Sequence, residues 1–207
     1  MILSKVWSNP IDDTISIFFG THWDSFPNFL KELFISLSGL ASLGIFFLIL
    51  GAIFITTKKN RFMGIGTIIT VGLASLFNEV IVKNIFDRMR PFEALGFEPG
   101  GWTPGGSSFP SGHTSTAFAI AAFYLFIFIF REKENRKELK GLIITIYVVA
   151  ILIGFSRIVL LHHYLTDVLA GIFFGTLYGI ISYYIVYYVN EFIKKKRKEK
   201  KNEETQG

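Results

Sequence analysis

A histidine and an aspartate near the last apolar stretch of the chain are spaced for chemistry. His163 and Asp167 are four positions apart, which puts them on one face if both belong to a helix. An aspartate in that position accepts a hydrogen bond from one ring nitrogen, and the other nitrogen keeps its lone pair. The alternative is a polar pair that only stabilises a helix end. Because ionisable groups inside an apolar span are costly, we favour a functional role for this pair. We interpret the adjacent His162 as structural or peripheral.

Two cations follow the second apolar stretch. Lys83 and Arg90 are seven positions apart, so they would lie on one face, two turns apart, if that helix continues until Pro91 stops it. Topological charges or side chains that snorkel toward headgroups would explain them equally well at this point. However, they fall on the side of the membrane that is otherwise poor in Lys and Arg, which indicates an anion site.

The third and fourth apolar stretches bring further polar groups to the same side. Ser111, Gly112 and His113 open the third stretch, where free N–H groups and the helix dipole favour an anion and glycine allows close approach. Taken alone, this segment is more typical of an ordinary turn with a polar histidine at the interface. Ser156 and Arg157 end the fourth stretch and add a third cation.

Five apolar stretches are long enough to cross about 30 Å of hydrocarbon as helices. We place them near residues 33–56, 62–82, 114–130, 141–161 and 164–189. The predicted fold class is all-α, a polytopic membrane helix bundle of about five transmembrane helices within residues 33–192. Residues 1–32 are predicted to be an N-terminal interfacial segment, with 11–30 amphipathic on the membrane surface. Residues 193–207 are predicted to be a basic, disordered cytoplasmic tail near anionic headgroups.

The basic residues lie in three blocks, in the links 57–61 and 131–140 and in the tail. With five spans all three fall on one side, which the positive-inside rule assigns to the cytoplasm. The C-terminus is then cytoplasmic, and the residues with chemistry lie outside. Topology therefore explains the net charge of +5, and we expect no nucleic-acid partner. The absence of cysteine excludes disulfides, thiolate metal sites and cysteine nucleophiles.

The set as a whole describes an anion site equipped with a nucleophile and an acid. It contains three cations, a helix start that bears a glycine, and two histidines, one of them backed by an aspartate. A phosphoryl group fits this set, because fixed cations and N–H groups stabilise the charge that spreads over its oxygens in the transition state.

Three blocks in this order resemble the signature of the type-2 phosphatidic acid phosphatase superfamily of membrane lipid phosphatases. The first block is Lys83, six residues, then Arg90 and Pro91; the second is Pro110-Ser111-Gly112-His113; the third is Ser156-Arg157, five residues, His163, three residues and Asp167. The resemblance covers roughly residues 83–167. Bacterial membrane members usually have six spans, whereas five are predicted here. The first span is missing or reduced to residues 1–32, and the resemblance does not define the architecture of that segment.

The resemblance implies a role for each matching residue. His163 would be the nucleophile that forms a phosphohistidine, Asp167 would orient it, and His113 would be the general acid and base. The phosphate would be bound by the remaining motif residues, with Ser156 supporting the pocket: Lys83, Arg90, Ser111, Gly112 and Arg157. No metal and no cofactor would be required, which agrees with the lack of a carboxylate or thiolate cluster at ligand spacing.

The resemblance also limits the substrate to a lipid phosphate drawn from the surrounding membrane lipids. An active site on the extracytoplasmic side of a bacterial inner membrane suits undecaprenyl pyrophosphate best; phosphatidylglycerophosphate and phosphatidic acid are the alternatives. Two other classes stay open, a lipid phosphotransferase and an anionic-lipid transporter. The glycine-rich link 92–109, with Trp102, is equally compatible with a lid and with a flexible outer loop.

Overall fold

The computed structural model describes residues 7–41, 44–130 and 136–206, and that part of the chain is helical without a strand. The helices are α1 (Pro10–His22), α2 (Asn28–Ala41), α3 (Gly44–Thr56), α4 (Arg61–Ser75), α5 (Lys83–Phe86), α6 (Pro91–Leu95), α7 (Gly112–Phe130), α8 (Arg136–Val159) and α9 (Leu165–Gln206). A π-helical segment, Leu76–Val82, joins α4 to α5. This confirms the all-α fold class.

Four helical segments are long and apolar enough to cross a membrane. They are Arg61–Leu95, Gly112–Phe130, Leu139–Val159 and Leu165–Glu204, which correspond to four of the five predicted spans. The stretch predicted as the first span, 33–56, is divided between α2 and α3, and residues 42 and 43 lie outside the described part. Within that stretch only Phe47–Thr56 qualifies, as a shorter apolar helix.

The interior of the bundle combines apolar packing with close backbone approach. At the end away from the site, α4, α7, α8 and α9 share a cluster of buried side chains that includes Ile120, Phe123 and Tyr183. At the site end, α7 and α9 pack closely at Gly171, Gly175 and Gly179, where a Cβ atom would meet the backbone of α7. Small residues at four-residue spacing allow this approach between membrane helices. Many of the exposed side chains are apolar, as expected for a surface that faces lipid.

Lys83 and Arg90 do not lie on one continuous helix, so that prediction is wrong. The helix ends at Phe86, because Asp87 adopts the left-handed conformation (φ 36°), and Arg90 is extended. Pro91 begins α6 instead of ending the earlier helix. Proline suits the first helical position because its missing N–H would have no helical partner there. Arg90 is therefore the N-cap of α6, and hydrogen bonds to the loop at Gly105 and Gly106 orient its side chain.

The two ends of the chain also differ from the prediction. The tail is not disordered in the described residues, because α9 continues to Gln206. Ion pairs three or four residues apart, such as Lys194–Glu191 and Lys195–Glu199, favour that helix. In the N-terminal segment, whose residues 1–6 lie outside the described part, α1 buries Asp12 and Ser16 and exposes Ile11. Its placement at the membrane surface stays a prediction.

Candidate active site

A cavity of about 450 Å³ opens at the end of the bundle where α5 ends, α7 and α9 begin and α8 ends. The convergence predicted from the sequence is therefore present. Six of the nine site residues that we named line the cavity: Lys83, Arg90, Gly112, His113, Arg157 and His163. Among the residues that the structure describes, no carboxylate lines it. Three cations, Lys83, Arg90 and Arg157, line this cavity, and this excess of positive charge favours an anion as its ligand.

The hydrogen bonds of His163 define which nitrogen carries the proton. Nδ1 lies 2.6 Å from the backbone oxygen of Ser108, and a carbonyl oxygen only accepts, so Nδ1 is the donor. Nε2 therefore carries the lone pair, and Nη1 of Arg90 donates to it at 3.3 Å. Burial, and then the charges of Arg90, Arg157 and Lys83, hold the pKa of His163 well below its usual 6.5. The imidazole is thus neutral, and Nε2 is the nitrogen with the lone pair that a nucleophilic role requires.

Asp167 does not bond directly to His163, in contrast to the expected helix-face pair. His163 precedes α9, in the turn before it, and its Nδ1 lies 3.7 Å from Oδ2 of Asp167. That oxygen accepts from the hydroxyl of Ser108 at 2.5 Å and from the backbone N–H of Tyr164 at 2.8 Å. Asp167 therefore fixes Ser108, whose carbonyl oxygen accepts the hydrogen bond from His163. Any effect of Asp167 on the orientation of His163 is indirect.

Arg90 ties the loop before α7 to the turn that carries His163. Nη1 donates to the carbonyl of His162 at 2.7 Å, Nη2 to that of Gly105 at 2.9 Å, and Nε to that of Gly106 at 3.1 Å. Trp102 and Gly105 of the same loop line the cavity. The link 92–109 thus forms a wall of the site that hydrogen bonds hold in place; its movement as a lid stays a hypothesis.

Arg157 is a fully buried cation at the inner wall of the cavity. One guanidinium nitrogen bonds to the hydroxyl of Ser38 on α2, while Nε has no hydrogen-bond partner among the residues that the structure describes. The guanidinium also lies 5.8 Å from the ring centroid of Trp102. A buried donor without a partner is costly, so an anionic ligand that accepts from Arg157 would recover that cost.

The remaining motif residues divide between the cavity and its support. His113 and Gly112 line the cavity on the first turn of α7. Ser111 does not line it; its hydroxyl lies 2.9 Å from that of Thr114, and its N–H donates to the carbonyl of Asp167. The role of Ser111 in binding phosphate therefore stays a prediction. Ser156 donates to the carbonyl of Ile153, which agrees with a supporting role.

His162 is buried behind the site, as its structural interpretation requires. Its ring meets the edge of Trp102, with centroids 5.7 Å apart. Burial first, and then the charges of Arg157 and Arg90, lower its pKa to about 3. His162 is therefore uncharged at neutral pH and adds no positive charge to the anion site.

Three residues that the sequence analysis did not select lie directly behind the motif residues. Arg88 is buried and bonds to the carboxylates of both Asp12 and Asp167, and its carbonyl accepts from the N–H of Ser108. The sequence shows Arg88 as a cation two positions before Arg90, but the neighbouring residues do not indicate which carboxylates it contacts. Asp12 is far away in sequence, and Ser108 lies two positions before the Pro-Ser-Gly-His block.

Comparison with known proteins gives a family. The profile of the PAP2 superfamily matches residues 63–191, which include all three motif blocks. The chain belongs to the PAP2 superfamily. This confirms the resemblance drawn from the motifs, while α1 and α2 lie outside the matched range.

Two relatives of this PAP2 chain carry a more specific name. Phosphatidylglycerophosphatase B of Bacillus subtilis (strain 168) is 31% identical over 114 residues, which is 55% of this chain and 53% of that protein. The chain thus spans about half the length of this curated relative. The crystal structure of a transmembrane PAP2-type phosphatidylglycerolphosphate phosphatase from Bacillus subtilis superposes with a TM-score of 0.67 at 26% identity, covering 88% of this chain and 85% of the other.

Proposed function

We propose that this chain is a membrane lipid phosphatase that works without a metal through a phosphohistidine intermediate. One observation carries the proposal: a neutral His163, whose Nε2 carries the lone pair and accepts a hydrogen bond from Arg90, lines a cavity together with Lys83, Arg90 and Arg157. A nucleophile among fixed cations suits phosphoryl transfer, in which positioning and charge stabilisation supply most of the rate. A binding protein or transporter would need the cations but not the nucleophile.

The proposed reaction has two steps. Nε2 of His163 attacks phosphorus, the new P–N bond forms as the P–O bond to the lipid breaks, and His113 gives its proton to the leaving oxygen. His113 then takes a proton from water, whose oxygen attacks phosphorus and breaks the P–N bond. Lipid phosphate and water become lipid alcohol and inorganic phosphate, and both histidines return to their starting state.

The substrate that the relatives favour is phosphatidylglycerophosphate. Both named relatives are phosphatases of that lipid, and the site end of the chain lies within the matched family range. Undecaprenyl pyrophosphate, the substrate first expected, shares the reacting group, and no finding singles it out.

The location and topology also belong to the proposal. We propose a bacterial inner membrane location, the site on the extracytoplasmic side, a cytoplasmic C-terminus and no nucleic-acid partner. We also propose the division into an interfacial segment 1–32, a phosphatase domain 33–192 and a basic tail 193–207.

A phosphate-release assay tests the proposal. The detergent-solubilised chain, with EDTA present, is given phosphatidylglycerophosphate, phosphatidic acid and undecaprenyl pyrophosphate in turn. We expect release that EDTA does not reduce, highest with phosphatidylglycerophosphate. Loss of release in EDTA would refute the metal-independent mechanism, and a higher rate with the diphosphate lipid would reverse the substrate assignment.

The intermediate separates hydrolysis from the competing classes. Acid-labile, base-stable label should accumulate on the wild-type chain after rapid quenching and should be missing from His163→Ala. Ser182→Ala serves as a matched control, since that residue is buried on α9 away from the cavity. A transporter would leave no label on either protein. A phosphotransferase would label His163 but pass the phosphate to an added lipid alcohol instead of water.

A further inference from the structure

The site contains a buried chain of charges that reaches beyond the motif residues to the N-terminal helix α1. Asp12 of α1 and Asp167 of α9 both bond to the guanidinium of Arg88. Their side chains are essentially inaccessible to solvent, with 0% exposure for both carboxylates and 1% for the arginine. A buried charge is tolerated only when a partner of opposite charge and hydrogen bonds compensate it. Two carboxylates and one guanidinium buried together therefore require a precise geometry.

Arg88 is held from every side. Its Nη2 donates to Oδ2 of Asp12 at 2.8 Å, its Nη1 donates to Asp167 and to the hydroxyl of Thr166, and its Nε donates to the carbonyl of Trp7 at 2.9 Å. The guanidinium also lies between two aromatic rings, 4.2 Å from the centroid of Trp7 and 4.0 Å from that of Tyr164. The ammonium group of a lysine could not make all of these contacts, which depend on the planar guanidinium of arginine.

Asp12 also completes the beginning of α9. Its Oδ1 accepts from the backbone N–H of Thr166 at 3.0 Å, and its Oδ2 accepts from the hydroxyl of the same residue at 2.5 Å. N–H groups in the first turn of a helix have no partner within the helix, and a carboxylate there is favoured by the dipole. Asp12 therefore acts as a cap supplied from another helix, next to Asp167.

The chain of contacts ends at the proposed nucleophile. Asp167 accepts from the hydroxyl of Ser108, the N–H of Ser108 donates to the carbonyl of Arg88 at 2.7 Å, and the carbonyl of Ser108 accepts from Nδ1 of His163 at 2.6 Å. Ser108 is thus fixed at its N–H, hydroxyl and carbonyl. The position of one carbonyl oxygen, and with it the tautomer of His163, depends on both ion pairs of Arg88.

We infer that Asp12 and Arg88 are positioning residues for the phosphatase reaction, acting through Asp167 and Ser108 on His163. This inference rests on the proposed function. Neither residue lines the cavity, so each acts on the rate of the chemical step and not on substrate binding. Residues of α1, outside the matched family range, therefore belong to the catalytic apparatus of this chain.

The test is a kinetic comparison of the full-length, detergent-solubilised chain. Asp12→Asn should lower kcat about 10- to 100-fold with KM unchanged, because a nucleophile displaced by a fraction of an ångström loses reactivity but the phosphate site stays intact. Asp13→Asn is the matched control, as it removes the same charge from the same helix turn. We expect the control to keep the wild-type kcat. Equal kcat values for the two variants would overturn the inference.

A double-mutant cycle separates positioning from general stability. If Asp12 acts through Asp167, Asp12→Asn should have no further effect on kcat in an Asp167→Asn background, whereas a purely structural role predicts that the two losses multiply. Multiplying losses would overturn the inference. Should Asp12→Asn fail to fold, Thr166→Val enters the same cycle, since it removes the hydroxyl that bonds to both Asp12 and Arg88 and leaves every charge in place.

The outcomes for the inference and for the proposed function are distinct. A wild-type chain that releases no phosphate from any of the three lipids refutes the proposed function. A wild-type chain that is active, with an Asp12→Asn variant that matches Asp13→Asn or raises KM alone, refutes only the positioning role.

Discussion

The contact between α7 and α9 gives a sharp prediction, because a single methyl group should disturb both catalytic helices. Gly171 lies one turn after Asp167, and a Cβ atom there would be 2.8 Å from the carbonyl oxygen of Ser111 and 3.0 Å from Cβ of Thr114. Ordinary contacts begin near 3.4 Å. Gly171→Ala must therefore move the two helix starts apart by about 0.6 Å, next to His113.

The expected loss follows from that displacement. Overpacking of this size costs about 1–3 kcal/mol of stability, offset in part by the higher helix propensity of alanine, about 0.5–1 kcal/mol. A misplacement of about 1 Å can cost about 100-fold in rate, so 0.6 Å predicts a loss of about tenfold. The assay is steady-state phosphate release, with a thermal unfolding curve of the same preparation.

Gly72→Ala is the matched control. A Cβ atom at Gly72 on α4 has no neighbour within 4 Å. This substitution therefore adds the higher helix propensity of alanine without any steric overlap. We expect its turnover to equal that of the wild type and its unfolding temperature to be equal or higher. If Gly171→Ala matched Gly72→Ala in both measurements, the close packing of the catalytic helices would not control the site.

Three further predictions concern the site. Arg157→Lys should lower kcat by about 100-fold or more in the phosphate-release assay, because lysine keeps the charge but loses the donor fork; a loss below tenfold would contradict this. Ser108→Ala should lower kcat about tenfold at constant KM, since Asp167 loses a 2.5 Å hydrogen bond while the carbonyl that accepts from His163 remains; a rise in KM alone would argue against it. Because burial lowers the pKa of His162 to about 3, its contribution to stability is complete above pH 6.5 and is lost as the pH falls toward 3. His162→Gln should remove up to about 1.4 kcal/mol per pH unit from the slope of unfolding free energy across that range, measured by denaturant titration, and an unchanged slope would exclude His162 as its source.

The cations and histidines that line the cavity were predictable because their types are unusual for their surroundings. Lys83, Arg90 and Arg157 are cations next to apolar stretches, and His113 and His163 are titratable groups near helix starts. Side chains of this kind are expensive at the edge of a membrane, so their type and order alone predict a function. The family match across residues 63–191 confirms the family that they predicted.

The supporting residues were not predictable, because their partners are distant in sequence. Asp12 has the local pattern of an ordinary acid in the first turn of a surface helix, and its contact with Arg88 exists only in the folded chain. The local pattern at Pro91 is also ambiguous, since proline either follows a helix or begins one. The left-handed conformation of Asp87 decided between these, and the sequence does not signal it.

The contact between Asp12 and Thr166 joins positions 154 residues apart, and this has a consequence for biosynthesis. Because α1 is synthesised long before α9, the bonds from Thr166 to Asp12 and from Arg88 to Asp167 can form only after the start of α9 has been made. The support behind His163 is therefore completed only once α9 packs against α1.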